Sequence, residues 1–314
     1  MRSYLLKRIP SALLVLLLAS FAVFLILRLI PGDPATSLAG PDATPAAVHA
    51  IRARLGLDRP LLVQYASWLG ALVTADLGPS YAIGGQVSDL IGNGLGATLE
   101  LTGGALLLVV LLGSAAGMLG ATSRNRAVRT LLRLFTTGAL AVPPFVTGVV
   151  LVLLLAVGLG VLPAGGYRPL TDAPDLAVQY LAMPALCLAL PSAAVLGRYL
   201  RDGLERTFTQ DHVRTATALG VTRRRILWRH ALPNALPPVV TVLGMQVGQL
   251  LGGAVLVEAI FAWPGLGQLA QQGVLRRDYP VVQDLLLLLV AVFVAVQLLT
   301  DIVHAWLDPR IRWE

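Results

Sequence analysis

The amino-acid sequence predicts an all-α integral membrane protein with six membrane-spanning helices, and two observations support this fold class. Hydrophobic residues make up 56% of the 314 positions and charged residues only 13%, and the mean hydropathy of +0.75 is far above that of a soluble domain. Six apolar stretches are each about 20 residues or longer, enough for a helix to cross a hydrocarbon core of about 30 Å. They are 9–30, 99–120, 131–157, 177–200, 236–257 and 281–306.

The first apolar stretch has to be distinguished from a cleaved signal peptide, because the residues before it are basic. Its apolar part is longer than the core of a signal peptide, which is about 7–15 residues. The residues after it, Pro31-Gly32-Asp33-Pro34, do not resemble a small-residue cleavage site. We therefore expect residues 1–30 to hold a short cytoplasmic segment and a retained first helix.

The positions of the basic residues predict the orientation of the six helices. If the N-terminus is cytoplasmic, the inner segments contain 17 of the 24 lysines and arginines. Basic residues are concentrated in the cytoplasmic loops of membrane proteins, so we expect both termini to be cytoplasmic. The net charge of +7 then follows from the topology, and no role in binding nucleic acid is needed to explain it.

The connection 31–98 is long for a bare loop between two helices. Residues 46–57 carry a helical pattern of apolar residues, and residues 61–72 carry another. We therefore expect a small ordered external subdomain, followed by a transmembrane core at 99–314 that contains the other five helices.

Two pairs of unusual residues within the apolar stretches each have two interpretations. Pro143 and Pro144 break the hydrogen-bond ladder of the third helix, either as a packing kink or beside a transport pathway. Gln246 and Gln249 in the fifth stretch either line the pathway or bond to a neighbouring helix.

Four acidic residues lie near the ends of the apolar stretches. Glu100 and Glu258 are close to the outer ends of the second and fifth stretches. One of them attracts the ammonium group of a substrate, or both lie at the interface in contact with water. Asp284 and Asp301 flank the last stretch, and we expect both to be interfacial.

The segment 209–238 is the longest polar interruption in the second half of the chain, and it predicts two short helices separated by Gly220. Thr209 and Thr222 are suited to cap the first and second helix, respectively. Pro233 is expected to end the second helix. Eight arginines between positions 198 and 229 indicate that this segment faces water and either anionic lipid or an acidic partner.

This segment resembles the cytoplasmic coupling loop of ATP-binding-cassette (ABC) importer permeases. The family pattern is Glu-Ala-Ala, three residues, Gly, nine residues, and Ile-x-Leu-Pro. The glycine and the Leu-Pro pair match, whereas an arginine replaces the glutamate and a histidine replaces the isoleucine, as happens in the peptide-importer branch. The resemblance implies a coupling loop at 201–235 that contacts an ATPase through Arg214, Thr215, Ala216, Gly220, His230, Leu232 and Pro233.

Further motifs similar to those of dipeptide and oligopeptide permeases extend over nearly the whole chain. They are RLIPGDPA at 28–35, LGLDRPLLVQYASWLG at 55–70, ADLGPSY at 75–81, LPAGGY at 162–167 and LDPRIR at 307–312. The most specific motif lies at 258–280, where EAIFAWPGLG and RRDYP resemble the peptide and nickel permeases. We expect a re-entrant or interfacial element there at the outer side, formed by Phe261, Trp263, Pro264, Gly265 and Gly267.

The family resemblance implies a type I ABC-importer permease of the bacterial inner membrane. The implied partners are a second, homologous permease, two ATPase subunits that bind ATP and Mg²⁺, and an extracytoplasmic substrate-binding protein. Short peptides are the implied substrate, and nickel or another small solute is the alternative. A stand-alone channel or ion-coupled carrier is a rival from another class, and an integral membrane enzyme is a second.

The sequence itself contains no pattern for catalysis or cofactor binding. An ATP-binding P-loop requires a lysine after its glycines, and the only lysine is Lys7, at the start of the first helix. The four histidines are scattered without metal-ligand spacing. We therefore expect no metal and no cofactor in this chain, and energy from ATP must come from another subunit.

Overall fold

The computed structural model describes residues 2–29, 32–40 and 42–307. The tail motif at 308–312 and residues 30 and 31 lie outside this part. Within the described residues the regular secondary structure is helical, apart from one isolated β-bridge between Pro79 and Gln86. The all-α prediction is therefore confirmed.

The chain forms two compact units. Unit 1 contains Met1–Ala97 and Pro264–Val294, and unit 2 contains Thr98–Trp263 and Ala295–Glu314. The prediction that 31–98 is a separate external subdomain and 99–314 the transmembrane core stays a prediction.

Unit 1 is built from short helices between long ones. It contains α1 (Arg2–Leu29), α2 (Pro34–Ala39), α3 (Pro45–Arg54), α4 (Leu61–Val73), α12 (Leu266–Arg276) and the first residues of α5 (Val87–Thr122) and α13 (Tyr279–Leu307). Asp33 and Thr44 cap α2 and α3, and in each case a proline follows at the first helical position. The hydrophobic core consists of Val87, Ile91, Leu266, Leu269, Val281 and Leu285.

Unit 2 is organised around α8, which packs against α6, α7 and α11. Its helices are α6 (Arg126–Ala141), α7 (Pro144–Leu151), α8 (Pro174–Phe208), α9 (Asp211–Ala218), α10 (Arg223–Ile226) and α11 (Leu232–Ile260), together with the remainder of α5 and α13. A π-helical segment at 152–158 follows α7, and another at 227–231 joins α10 to α11.

Five helical stretches are long and apolar enough to cross a membrane. They are Arg8–Leu29, Val87–Thr122, Pro174–Phe208, Arg223–Ile260 and Tyr279–Val303. A sixth span exists if α6 and the stretch Pro144–Gly158 are counted together, although they are bent by 109°. The predicted positions of the spans are thus confirmed, and the third is divided at the paired prolines that were expected to break its hydrogen-bond ladder. Val142, which precedes Pro143, adopts an extended conformation because a proline disfavours the helical region in the residue before it.

The predicted caps of the segment 209–238 also need correction. Thr209 ends α8, where its hydroxyl group donates to the backbone oxygen of Arg206 at 2.8 Å, and Gln210 precedes α9. Thr222 does precede α10, but its side chain makes no capping hydrogen bond. Pro233 does not end the second helix, because the π-helical segment 227–231 shifts the hydrogen-bond ladder and the helix continues into α11.

Helices α5 and α8 approach each other closely at a glycine. A Cβ atom at Gly117 would lie 2.8 Å from the backbone oxygen of Gly197 and 2.8 Å from Cβ of Leu200. Such small residues let membrane helices pack at short distances. By contrast, a Cβ atom at Gly103, on the same helix, would meet no atom within 4 Å.

We therefore expect Gly117→Ala to destabilise the protein by about 1–3 kcal/mol, because the added methyl group overpacks the contact between α5 and α8. Gly103→Ala is the matched control and should leave stability unchanged or slightly higher. Thermal unfolding of the two purified variants in detergent measures the difference. Equal midpoints for the two variants would contradict the proposed packing.

Candidate functional site

Helices α9 and α10 form a helical elbow at residues 211–226, and Gly220 makes its turn. The amide of Gly220 donates to the backbone oxygen of Thr217 at 3.0 Å, and the amide of Val221 donates to that of Ala216 at 3.1 Å. This pair of bonds is the Schellman motif, which requires a left-handed residue directly after the helix. Gly220 has a φ of +75°, which a residue without Cβ adopts at no steric cost.

A small hydrophobic core holds the elbow together. Val213 and Ala216 on α9 are buried together with Ile226 on α10, and Phe208 and Val221 pack around them. The bond from Val221 to Ala216 therefore closes the turn over an apolar contact, the usual companion of a Schellman motif.

The opposite face of the elbow is exposed. The Arg214 side chain is 73% exposed, and its guanidinium group lies 3.7 Å from the carboxylate of Asp211. Thr215 is also exposed, and Leu219 at the tip is 78% exposed. Of the three residues on α9 that are predicted to contact an ATPase, Arg214 and Thr215 are exposed, whereas Ala216 is buried in the core of the elbow.

The elbow continues without interruption into a long helix. Helical structure runs from Arg223 through the π-helical segment to Ile260. His230, Leu232 and Pro233 lie on this connecting helix, outside the elbow itself. The side-chain amide of Asn234 donates to the backbone oxygen of His230 at 2.6 Å, which adds a bond next to the position where Pro233 lacks an N–H group. A displacement of the elbow would therefore move the whole of α11.

Near the far end of α11, Glu258 is fully buried within unit 2. The hydroxyl group of Thr98 donates to Oε1 of Glu258 at 2.7 Å, and the amide of Trp263 donates to the Glu258 backbone oxygen at 2.9 Å. The interpretation in which Glu258 contacts interfacial water is therefore wrong. Glu100 is only partly buried, and its carboxylate accepts from the amide of Leu170 at 3.3 Å.

The side chains of Phe261 and Trp263, two residues of unit 2, are buried and do not face lipid. The backbone oxygen of Phe261 accepts from the amide of Gly166 at 2.8 Å. The ring of Trp263 meets that of Tyr167 edge to face, with centroids 4.8 Å apart. The Trp263 ring thus packs against the loop before α8, and the Phe261 ring lies beside Gly148 of α7. An interfacial position of this segment stays a prediction. Pro264, Gly265 and Gly267 belong to unit 1, and a gating role for all five residues stays a prediction.

The predicted pathway residues are not gathered on one face. Gln246 is buried, whereas Gln249 is exposed on α11. Pro143 is exposed, and the backbone oxygen of Pro144 accepts a hydrogen bond from Sγ of Cys187 at 3.0 Å, a packing contact between α7 and α8. A role for these residues in a pathway stays a prediction.

The sequence interpretation missed a buried carboxylate in unit 1. Asp278 accepts hydrogen bonds from the hydroxyl group of Ser80 at 2.5 Å and from three successive amides, those of Tyr81, Ala82 and Ile83 at 3.1, 2.7 and 3.0 Å. Burial acts to raise the pKa of the Asp278 carboxyl group, but these four bonds outweigh burial and hold the pKa below its usual value. The sequence feature that could have pointed to Asp278 is the RRDYP motif, which contains it.

Asp284 is also buried in unit 1, so its predicted interfacial position is wrong. Its Oδ1 atom accepts from Nε1 of Trp68 at 2.7 Å, which ties α13 to α4. The tryptophan comes from the long connection 31–98, so a tertiary contact that local sequence cannot reveal decides the burial of Asp284.

Family models match both parts of the chain. The model described as "Binding-protein-dependent transport system inner membrane component" matches residues 109–313, and the corresponding N-terminal model matches residues 1–102. A Brucella suis biovar 1 (strain 1330) protein named as a peptide permease is 39% identical over 318 residues, which cover 99% of each chain. The glutathione transport system permease protein GsiC of Escherichia coli O6:H1 is 36% identical over 314 residues, which cover 100% of each chain.

A solved structure has the same fold. It is the MetNI methionine ABC transporter in inward-facing conformations, at 21% identity and a TM-score of 0.58. The match covers 70% of this chain and 96% of that one. This similarity shows a shared fold, while the family models and the full-length relatives confirm the resemblance to permeases of peptide ABC importers.

We expect Asp278→Asn to loosen the loop 78–86 by about 3 kcal/mol, because an amide cannot accept all four hydrogen bonds. Limited proteolysis of this loop in the purified protein measures the change. Asp76→Asn is the control, since the carboxylate of Asp76 is exposed and accepts a hydrogen bond from the amide of Gly78 that an asparagine oxygen can also accept. Because the pKa of Asp278 is lowered in the folded state, its contribution is present above about pH 4 and is lost as the pH falls through that lowered pKa. Equal cleavage rates for the two variants would contradict this role.

Proposed function

The chain belongs to the family of binding-protein-dependent transport system inner membrane components, and on that premise we propose that it takes up short peptides as one permease of an ABC importer. Relatives over the full length of the chain support the choice of substrate. Several are named for peptide transport, and one is named for glutathione, which is itself a tripeptide. In this proposal the peptide is delivered by an extracytoplasmic binding protein.

The observation that carries the proposed mechanism is the continuous helical connection between the elbow and α11. The elbow has its own hydrophobic core, a turn fixed by Gly220, and an uninterrupted helical link to residue 260. When ATP closes two ATPase subunits, a push on the exposed face of Arg214, Thr215 and Leu219 would tilt α11 as one body. A packed elbow transmits such a push better than a flexible loop, because packed elements move between discrete arrangements.

The proposed partners are the ATPase subunits and a second permease, which supply the parts of the importer that this chain lacks. With Lys7 as its only lysine, the chain has no P-loop, so ATP and Mg²⁺ belong to the ATPase subunits. On α11, Met245, Gln249, Gly252 and Leu256 form an exposed stripe with helical spacing. An exposed glutamine within a membrane helix is favourable only beside protein or water. We assign this stripe to the contact with a second, homologous permease and to the pathway between the two.

The orientation of the helices is part of the same proposal. Both termini and the elbow lie in the cytoplasm of a bacterial cell, and the segment 31–98 lies outside. The concentration of arginines between 124 and 133 and between 198 and 229 supports this orientation.

A substitution series at Gly220 tests the coupling role. Gly220→Val should abolish ATP-driven uptake, because a β-branched residue resists the left-handed conformation. Gly220→Asn should retain most of the uptake, since asparagine tolerates this conformation. The measurement is peptide uptake into vesicles together with co-purification of the ATPase subunits. Normal uptake by Gly220→Val would rule out a coupling role for the turn.

The substrate is tested by competition in the reconstituted importer with its own binding protein. We expect unlabelled di- and tripeptides to displace a labelled dipeptide, while nickel salts leave its uptake unchanged. Inhibition by nickel alone would favour the alternative substrate. Uptake by this chain without ATPase subunits would instead indicate a stand-alone carrier.

A further inference from the structure

A cavity of about 510 Å³ in unit 2 is lined by four arginines from two helices. Arg129 and Arg133 are four residues apart on α6, and Arg198 and Arg201 are three residues apart on α8, so each pair lies on one helix face. The remaining lining residues are Ala116, Gly120, Leu132, Thr136, Thr137, Gly197 and Glu205.

The positive charge of this cavity is only partly balanced. Arg201 donates to Oδ1 of Asp202 at 2.8 Å and lies 3.8 Å from the carboxylate of Glu205. Within the part of the chain that the structure describes, no ion pair with a carboxylate is formed by Arg129, Arg133 or Arg198. Three arginines without a carboxylate partner therefore line a space that is suited to an anion.

The cavity lies where the apolar parts of its helices end. Gly120 is close to the last residue of α5, Thr122, and Gly197 directly precedes the first arginine of α8. On α6, Leu140 is 40% exposed and lies four residues beyond Thr136, on the side of the helix that lines the cavity. Charged groups beside an exposed leucine at the end of membrane spans match the boundary between lipid headgroups and acyl chains.

We propose that this cavity binds the headgroup of an anionic phospholipid. The phosphate accepts hydrogen bonds from Arg129, Arg133 and Arg198, and an acyl chain lies along the exposed Leu140, further along the same side of α6. A soluble anion would use the same guanidinium groups but would leave Leu140 uncovered. Glu205 lines both this cavity and the groove beside the elbow, which Val213, Thr217 and Ile226 also line. The headgroup therefore fixes the end of α8 from which the elbow continues.

The test uses the complete importer complex in lipid nanodiscs, with bound lipid counted by native mass spectrometry. We expect the double variant R129Q/R198Q to bind phosphatidylglycerol about 30-fold more weakly than the unmodified complex. The matched control is R126Q/R206Q, which removes two exposed arginines of the same helices that do not line the cavity. Equal losses in the two double variants would overturn the site.

Two further measurements on the unmodified complex distinguish a phospholipid headgroup from free phosphate as the bound anion. Phosphatidylglycerol should be retained in preference to phosphatidylcholine, and its retention should weaken as the salt concentration rises. Inorganic phosphate alone should not raise the thermal stability of the complex in phosphatidylcholine, whereas phosphatidylglycerol should. Equal retention of the two lipids, or full stabilisation by inorganic phosphate, would overturn the assignment to a lipid.

Discussion

The rest of the molecule depends on one constraint at the turn after α9, where the backbone must be left-handed. Gly220 satisfies it and permits both hydrogen bonds of the Schellman motif. Those bonds place Val221 over Ala216, so that α9 and α10 share one small core. Because α10 continues through a π-helical segment into α11, the geometry of this turn also sets the direction in which any force on the elbow enters the membrane helices.

The membrane helices could be predicted from the sequence because their signal is local. A long apolar stretch favours insertion wherever it lies in the fold, and five of the six stretches correspond to single helices. The bend of 109° before Pro144 was not predictable to the same degree. Paired prolines weaken a helix, but its neighbours decide whether it kinks slightly or breaks. The same reasoning explains Pro233, which interrupts an α-helical ladder and yet is accommodated once a π-helical segment has shifted the bonds.

The burial of polar and aromatic side chains depends on tertiary contacts, so it could not be predicted from the local sequence. The carboxylate of Glu258 accepts a hydrogen bond from Thr98, and that of Asp284 accepts one from Trp68. These partners are 160 and 216 residues away in the chain. Trp263 packs against Tyr167 although aromatic residues near the end of a span commonly mark an interface. The role of Asp278 was not predicted because its carboxylate binds backbone amides of a loop that is distant in the sequence. No residue spacing within its own segment indicates this contact.

The exposure of Arg214 has a consequence for how cognate subunits recognise one another. Within the elbow its guanidinium group contacts only the exposed carboxylate of Asp211, at 3.7 Å, so the fold depends little on the charge at this position. The family pattern has a glutamate there. If the proposed contact with an ATPase forms at this face, a cleft that complements an arginine would repel a glutamate, so the charge of one solvent-facing residue would select the matching ATPase subunit.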